Sequence, residues 1–116
     1  MTYTIKTKKD ELFVKYLMVI NGTLKLSEKE IIILAEFMKY NEEYKKDPEI
    51  VFSAPIRKKI QATLKISPAN LNNYIQYLKN KQMILEKGDA LSINKNIIPQ
   101  VINNSCSTNF VFIIEK

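Results

Sequence analysis

"ISPANLNNYIQYLKNKQMI", residues 66–84, carries the features that decide the fold. Ser67 suits an N-cap, where a hydroxyl accepts a hydrogen bond from an unpaired backbone N–H. Pro68 suits the first helical position, where its missing N–H costs nothing. Beyond them Leu71, Tyr74, Ile75 and Leu78 recur at helical spacing, which predicts a helix over 68–81. The opposite face is unusual: it holds Asn70, Asn72, Asn73, Gln76 and Asn80, with no acid. Asparagine is a mediocre helix former because its side chain competes for the backbone. Helix stability does not account for that choice.

The flanking segments give the helix its setting. "APIRKKIQATLKI", residues 54–66, has Pro55 in a first turn and Ile56, Ile60, Thr63 and Leu64 on one face, predicting a helix over 55–65. Two short amphipathic helices joined by a tight turn form a helix-turn-helix pattern. After them "MILEKGDALSINKN" sets two β-prone runs around Gly88, predicting a hairpin over 83–95.

Upstream, "LSEKEIIILAEFMKYNEEY" contains an S-x-x-E capping box, Ser27 and Glu30, and predicts a helix over 27–44. Ile31, Leu34, Ala35 and Met38 form one apolar face, and Ile32, Ile33 and Phe37 widen it, so this helix is expected at the centre of the fold. "KKDPE" closes it, because the residue before a proline disfavours helix. "IVFS", residues 50–53, reads as a short strand. "DELFVKYLMVI" reads as a helix over 10–20, with a strand as the alternative, ended by a glycine-type cap at "NGT". "TYTIKT" reads as an edge strand, and "NFVFIIEK" as a last strand or part of an interface. The fold class expected is α+β.

Composition narrows the function. The 116 residues predict one domain, without repeats or linkers. Hydrophobic residues make up 46% and no run is long enough to span a membrane. The lysines near the start precede no apolar stretch, so no signal peptide is expected. Histidine is absent and Cys106 is the sole cysteine, which leaves no internal disulfide and no zinc-finger ligand set. A reducing, cytoplasmic setting is expected. There is no phosphate-binding glycine loop and no nucleophile with a base, so neither enzyme activity nor a cofactor or metal is expected. Glu42, Glu43 and Asp47 read as a solvated helix end. Arg57 is the only arginine, and the richness in Lys, Ile and Asn points to an A/T-rich genome, a low-GC bacterium or its phage.

The net charge of +6 is unevenly spread. Residues 1–26 carry +3, residues 27–50 carry -3, and residues 83–116 balance. Residues 51–82 carry +6 with no acid: Arg57, Lys58, Lys59, Lys65, Lys79 and Lys81. Charge runs are commonly just solvated faces, but this one coincides with the helix pair. A duplex carries dense phosphate charge, and basic residues release its counterions on binding.

The segment "IRKKIQATLKISPANLNNYIQYLKNKQMILEKGDALSINKN" resembles the winged helix-turn-helix of bacterial and phage DNA-binding proteins. The matching features are a basic helix, an "I-S" turn, a helix with polar outward residues, a lysine-rich exit and a hairpin wing. The resemblance covers residues 55–96, with the helix at 27–44 as the first of the unit. It leaves 1–20 and 97–116 as extensions. MarR-type regulators, replication initiators and phage replisome organisers are resembled equally. The chain departs from the pattern at Gln61, where a small residue is usual, and at Lys65, where glycine is usual in the turn.

What this implies is sequence-specific binding of double-stranded DNA, as a homodimer, away from membranes. Outward residues near the start of the second helix reach base edges in the major groove. On a helical wheel with Leu71, Ile75 and Leu78 inward, these are Ala69, Asn70, Asn72, Asn73 and Gln76. Asn and Gln pair with adenine N6 and N7, and Ala meets the thymine methyl. Arg57, Lys58, Lys59, Lys65, Lys79, Lys81 and Lys87 are the expected phosphate contacts. Two competing readings stand beside this: a low-GC genome filling a solvent face with asparagine, and a winged helix used as a protein–protein assembly module.

Overall fold

A computed structural model describes residues 4–102, 105–107 and 114. Among these the fold is α+β. Four helices, α1 (Leu12–Leu24), α2 (Glu28–Glu43), α3 (Ala54–Leu64) and α4 (Pro68–Asn80), precede two separate antiparallel hairpins. The first hairpin pairs β1 (Ile84–Lys87) with β2 (Ala90–Ile93), and the second pairs β3 (Gln100–Ile102) with β4 (Ser105–Ser107).

α2 is the centre. Ile31, Ile33, Leu34, Ala35, Phe37 and Met38 are all buried, so the helix is covered on most of its circumference by α1, α3, α4, β2 and the 3-10 turn Pro48–Phe52. Its start is fixed as the S-x-x-E pattern predicts. Glu30 N–H donates to Ser27 Oγ at 3.2 Å, and Ser27 N–H donates to Glu30 Oε1 at 2.8 Å. Leu71, Ile75 and Leu78 of α4 are buried with Ile56 and Ile60 of α3 in the same core. Each such side chain contributes roughly 1.5–3 kcal/mol by leaving water.

Lys65 joins α3 to α4 in the left-handed conformation, φ 56°, and its N–H and that of Ile66 both reach Gln61 O. A glycine is the usual residue there. Ser67 is then the N-cap of α4, with Asn70 N–H donating to its Oγ at 3.1 Å, and Pro68 follows at the first turn. The hairpin β1–β2 is held to the end of α4 in the same manner. Gln82 takes φ 64°, Met83 N–H donates to Leu78 O at 2.9 Å, and Asn94 Nδ2 donates back to Gln82 O at 2.8 Å. Gly88, φ 64°, opens the turn between Lys87 and Ala90.

Three elements differ from their sequence expectations. Thr4–Lys8 form no strand: they are exposed and have no partner ladder, without which alternation has nothing to bury. α1 runs through Asn21, Gly22 and Thr23 to Leu24, and Lys25, φ 57°, makes the left-handed cap. Asn21 explains this. Its side chain receives Leu26 N–H at 2.8 Å and donates to Leu26 O at 3.0 Å, clasping the chain beyond the helix. Of "IVFS", Ile50, Val51 and Phe52 belong to the 3-10 turn and not to a strand, and Ser53 leads into α3. Pro48 starts that turn, and it buries the consecutive residues Val51 and Phe52, which a strand would send to opposite faces. Phe52 stacks on Phe37 with ring centroids 4.6 Å apart. The β3–β4 hairpin was not anticipated, and the stretch "NFVFIIEK" lies, Ile114 apart, outside the described residues.

Candidate nucleic-acid interface

The buried stripe of α4 fixes what its other side offers. With Leu71, Ile75 and Leu78 at 5% exposure or less, Ala69, Asn70, Asn72, Asn73, Gln76 and Asn80 are all exposed. All five base-reading candidates therefore share one solvent-facing surface that begins at the helix's first turn. Their freedom differs. Asn72 Oδ1 accepts from Arg57 Nη1 at 3.2 Å, and Gln76 Nε2 donates to Asn80 Oδ1 at 3.4 Å. The Asn73 side chain has no hydrogen bond among the described residues, so both its donor and its acceptor are available.

Arg57 is the pivot between α3 and α4. Its Nε donates to Phe52 O at 3.0 Å, which fixes the guanidinium plane, and Nη1 reaches Asn72. Two of its five donors are used, leaving three for an acceptor outside the chain. Lys58, Lys59, Lys65 and Lys87 are exposed and, like Arg57, pair with no carboxylate among the described residues.

The other two expected phosphate contacts are engaged within the chain. Lys79 Nζ lies 3.2 Å from Glu86 of β1, with the lysine side chain only 23% exposed. Lys81 Nζ lies 2.7 Å from Glu30 Oε1 and 3.1 Å from Lys25 O. Their charges are met by acids from α2 and β1, which leaves the α3–α4 pair with four uncompensated positive charges of its original six. Sequence reading missed both acids' roles. Glu30 was legible as a capping residue, but its pairing with a lysine 51 positions later depends on how α2 and α4 pack.

Among the described residues, Glu30 is the one buried charged residue, 4% exposed. Burial alone would raise its carboxyl pKa. Hydrogen bonds from Lys81 and Ser27, with the lysine's charge, outweigh that, and the net direction is down from the ordinary 4.5. Glu30 and Lys81 line a shallow groove with Ser27, Tyr74, Tyr77 and Asn80, and the rings of Tyr74 and Tyr77 meet edge to face with centroids 5.8 Å apart. On the other flank, Arg57, Ser53 and Phe52 face Lys87, Asp89, Ala90 and Leu91 across a second depression, so the tip of the first hairpin stands beside the start of α3.

No helix among the described residues is long and apolar enough to cross a membrane. Compared with family models, curated proteins and solved structures, the chain matches none.

Proposed function

We propose that the chain is a winged helix-turn-helix protein that binds double-stranded DNA in a sequence-specific manner, as a bacterial or phage transcription regulator or replication initiator. In this reading α3 and α4 are the helix-turn-helix and β1–β2 is the wing, with the Pro48–Phe52 turn packed beside β2. The observation that carries it is the acid-free, amide-rich outward face of α4, which Arg57 of α3 meets at Asn72, in a helix pair whose Arg57, Lys58, Lys59 and Lys65 have no carboxylate partner among the described residues. Acids there would be repelled by phosphate. Amides without charge match adenine edges.

α4 enters the major groove by its first turns. Asn73 and Gln76 read bases, with Ala69 and Asn70 at the tip. Asn72 does so through a side chain already oriented by Arg57. Arg57, Lys58, Lys59 and Lys65 hold the backbone, and Lys87 on the wing reaches an adjacent phosphate. These contacts position the protein, and the amides specify the site. Lys79 and Lys81 take the structural part that their ion pairs describe.

Selection from a pool of random duplexes tests this. The expected outcome is enrichment of an A/T-containing site bound at least 10³-fold more tightly than random duplex, the lower edge of the usual specific range of roughly 10³–10⁷. A pool from which nothing is enriched, with no duplex bound, favours the assembly-module reading instead.

A further inference from the structure

Asn72 and Asn73 are neighbours on the exposed face of α4, but their amides are in different states. The Asn73 side chain has no hydrogen bond among the described residues. Asn72 Oδ1 accepts from Arg57 Nη1 at 3.2 Å. A guanidinium only donates, so the atom that faces it is the amide oxygen, and Nδ2 keeps its two N–H groups free.

Arg57 is itself held. Its Nε donates to Phe52 O at 3.0 Å, and Phe52 is buried with its ring stacked on Phe37. The planar fork is therefore anchored to the core through one nitrogen and to Asn72 through another, and it orients the amide before any ligand arrives.

Reading adenine takes both halves of an amide: the oxygen accepts from N6 and the nitrogen donates to N7. In Asn72 the oxygen already carries a cation's hydrogen bond. An adenine amino group reaching for that oxygen sits beside the guanidinium, donor against donor. The N4 amino group of cytosine meets the same obstacle. Guanine presents two acceptors in the major groove, N7 and O6, and no donor. Thymine presents one acceptor, O4. A guanine therefore matches the two N–H groups that Asn72 has left, and the positive charge beside them favours its acceptors further.

We propose that Arg57 fixes Asn72 as a hydrogen-bond donor, so that Asn72 selects a guanine where the free Asn73 selects an adenine. The inference rests on the DNA-binding reading above and deepens it. Arg57 becomes a positioning residue for one base pair as well as a backbone contact, and the bound site carries a guanine that asparagine alone does not predict.

The test is selection from random duplexes with the full chain, its Asn72→Ala variant and its Arg57→Lys variant, followed by competition binding on the enriched site with each base in turn at every position. Asn72→Ala identifies the base pair that Asn72 reads, as the one whose preference it abolishes. At that pair the unaltered chain is expected to prefer guanine over adenine by about tenfold or more. Replacing this guanine with 7-deazaguanine, which lacks the N7 acceptor, should weaken binding of the unaltered chain and not that of Asn72→Ala. Arg57→Lys keeps the charge but loses the fork that holds Phe52 O and Asn72 Oδ1 together. It should lower the guanine preference at this pair about tenfold, in favour of adenine, and leave preferences elsewhere within about threefold. Circular dichroism melts check that each variant is folded. An unaltered chain that prefers adenine at this pair overturns the inference while the DNA-binding reading stands. So does an Arg57→Lys variant that weakens every duplex alike with the preference intact, since Arg57 is then a backbone contact only. A chain that binds no duplex overturns both.

Discussion

Lys81 Nζ lies 2.7 Å from Glu30 Oε1, joining the end of α4 to the first turn of α2. The same carboxylate accepts Ser27 N–H at 2.8 Å, so a single acid closes a helix cap and a contact between two helices that the sequence separates by 51 positions. Its side chain is 5% exposed and that of Lys81 is 40% exposed. The lysine end of the pair therefore still sees water, which moderates the pair's worth.

Glu30→Ala removes both links and should lower stability by about 2 kcal/mol, read as a thermal melt at neutral pH. Glu30→Gln keeps the capping hydrogen bond and loses the charge, and about 1 kcal/mol is expected. The pH dependence has a definite sign. The folded-state pKa of Glu30 is lowered from 4.5, so its contribution is fully present above that value and is lost as pH falls through the depressed one. Melts in the acid range should show wild-type stability converging on that of Glu30→Gln. A constant gap between the two down to the most acid buffer contradicts the pairing.

Ser53 and Ser67 stand at equivalent places, before α3 and before α4, but only one caps its helix. Ser67 Oγ accepts Asn70 N–H, and Ser67→Ala should cost about 1 kcal/mol. Ser53 Oγ is buried without a hydrogen-bond partner among the described residues. Ser53→Ala removes an unsatisfied group and should leave stability unchanged or raise it by up to about 1 kcal/mol. Urea denaturation of both variants checks the contrast, and equal losses would count against the described cap.

Lys65 holds a left-handed backbone, φ 56°, which a side chain disfavours by roughly 1–2 kcal/mol. Lys65→Gly relieves that strain at some cost in unfolded-chain entropy, for an expected net gain of about 0.5–1 kcal/mol. It also removes a proposed phosphate contact, so the salt dependence of DNA binding should flatten by about one unit. Stability and affinity moving in opposite directions is the outcome to look for. A loss of stability would mean that Lys65 makes a contact that offsets its backbone strain.

The legible parts of the fold were those written in local chemistry. Ser27 with Glu30, Ser67 with Pro68, and the run around Gly88 each carry their own geometry, and the three elements that they open or turn appear within a residue or two of the expected bounds. Other parts were decided from a distance. Val51 and Phe52 look β-prone, yet Phe37 and the core bury them together in a 3-10 turn. Gly22 looks like a stop, yet Asn21 clasps Leu26 and the helix continues. The exposed face of α4 was readable from periodicity, because burial of Leu71, Ile75 and Leu78 fixes it. The engagement of Lys79 and Lys81 was not, because Glu86 and Glu30 reach them only through packing.

The amides should separate by role. Asn73→Ala should cost roughly 1–3 kcal/mol on a selected site and little on random duplex. Asn72→Ala also frees Arg57 from its orienting partner, so a loss on both kinds of DNA is expected, larger on the selected site. Competition binding with both duplexes distinguishes them. Equal losses on the two duplexes for Asn73→Ala would identify the asparagines as solvent filler.

The salt dependence of duplex binding tests the account most directly. Arg57, Lys58, Lys59, Lys65 and Lys87 are the proposed phosphate contacts that have no carboxylate partner among the described residues. Neutralising four or five phosphates predicts a slope of log K against log salt of about -4. Lys58→Ala and Lys59→Ala should each flatten it by about one unit, while Lys81→Met should leave it nearly unchanged and lower the melting temperature. A wild-type slope near zero, or a Lys81→Met variant that flattens it as much as the α3 lysines do, would contradict the account.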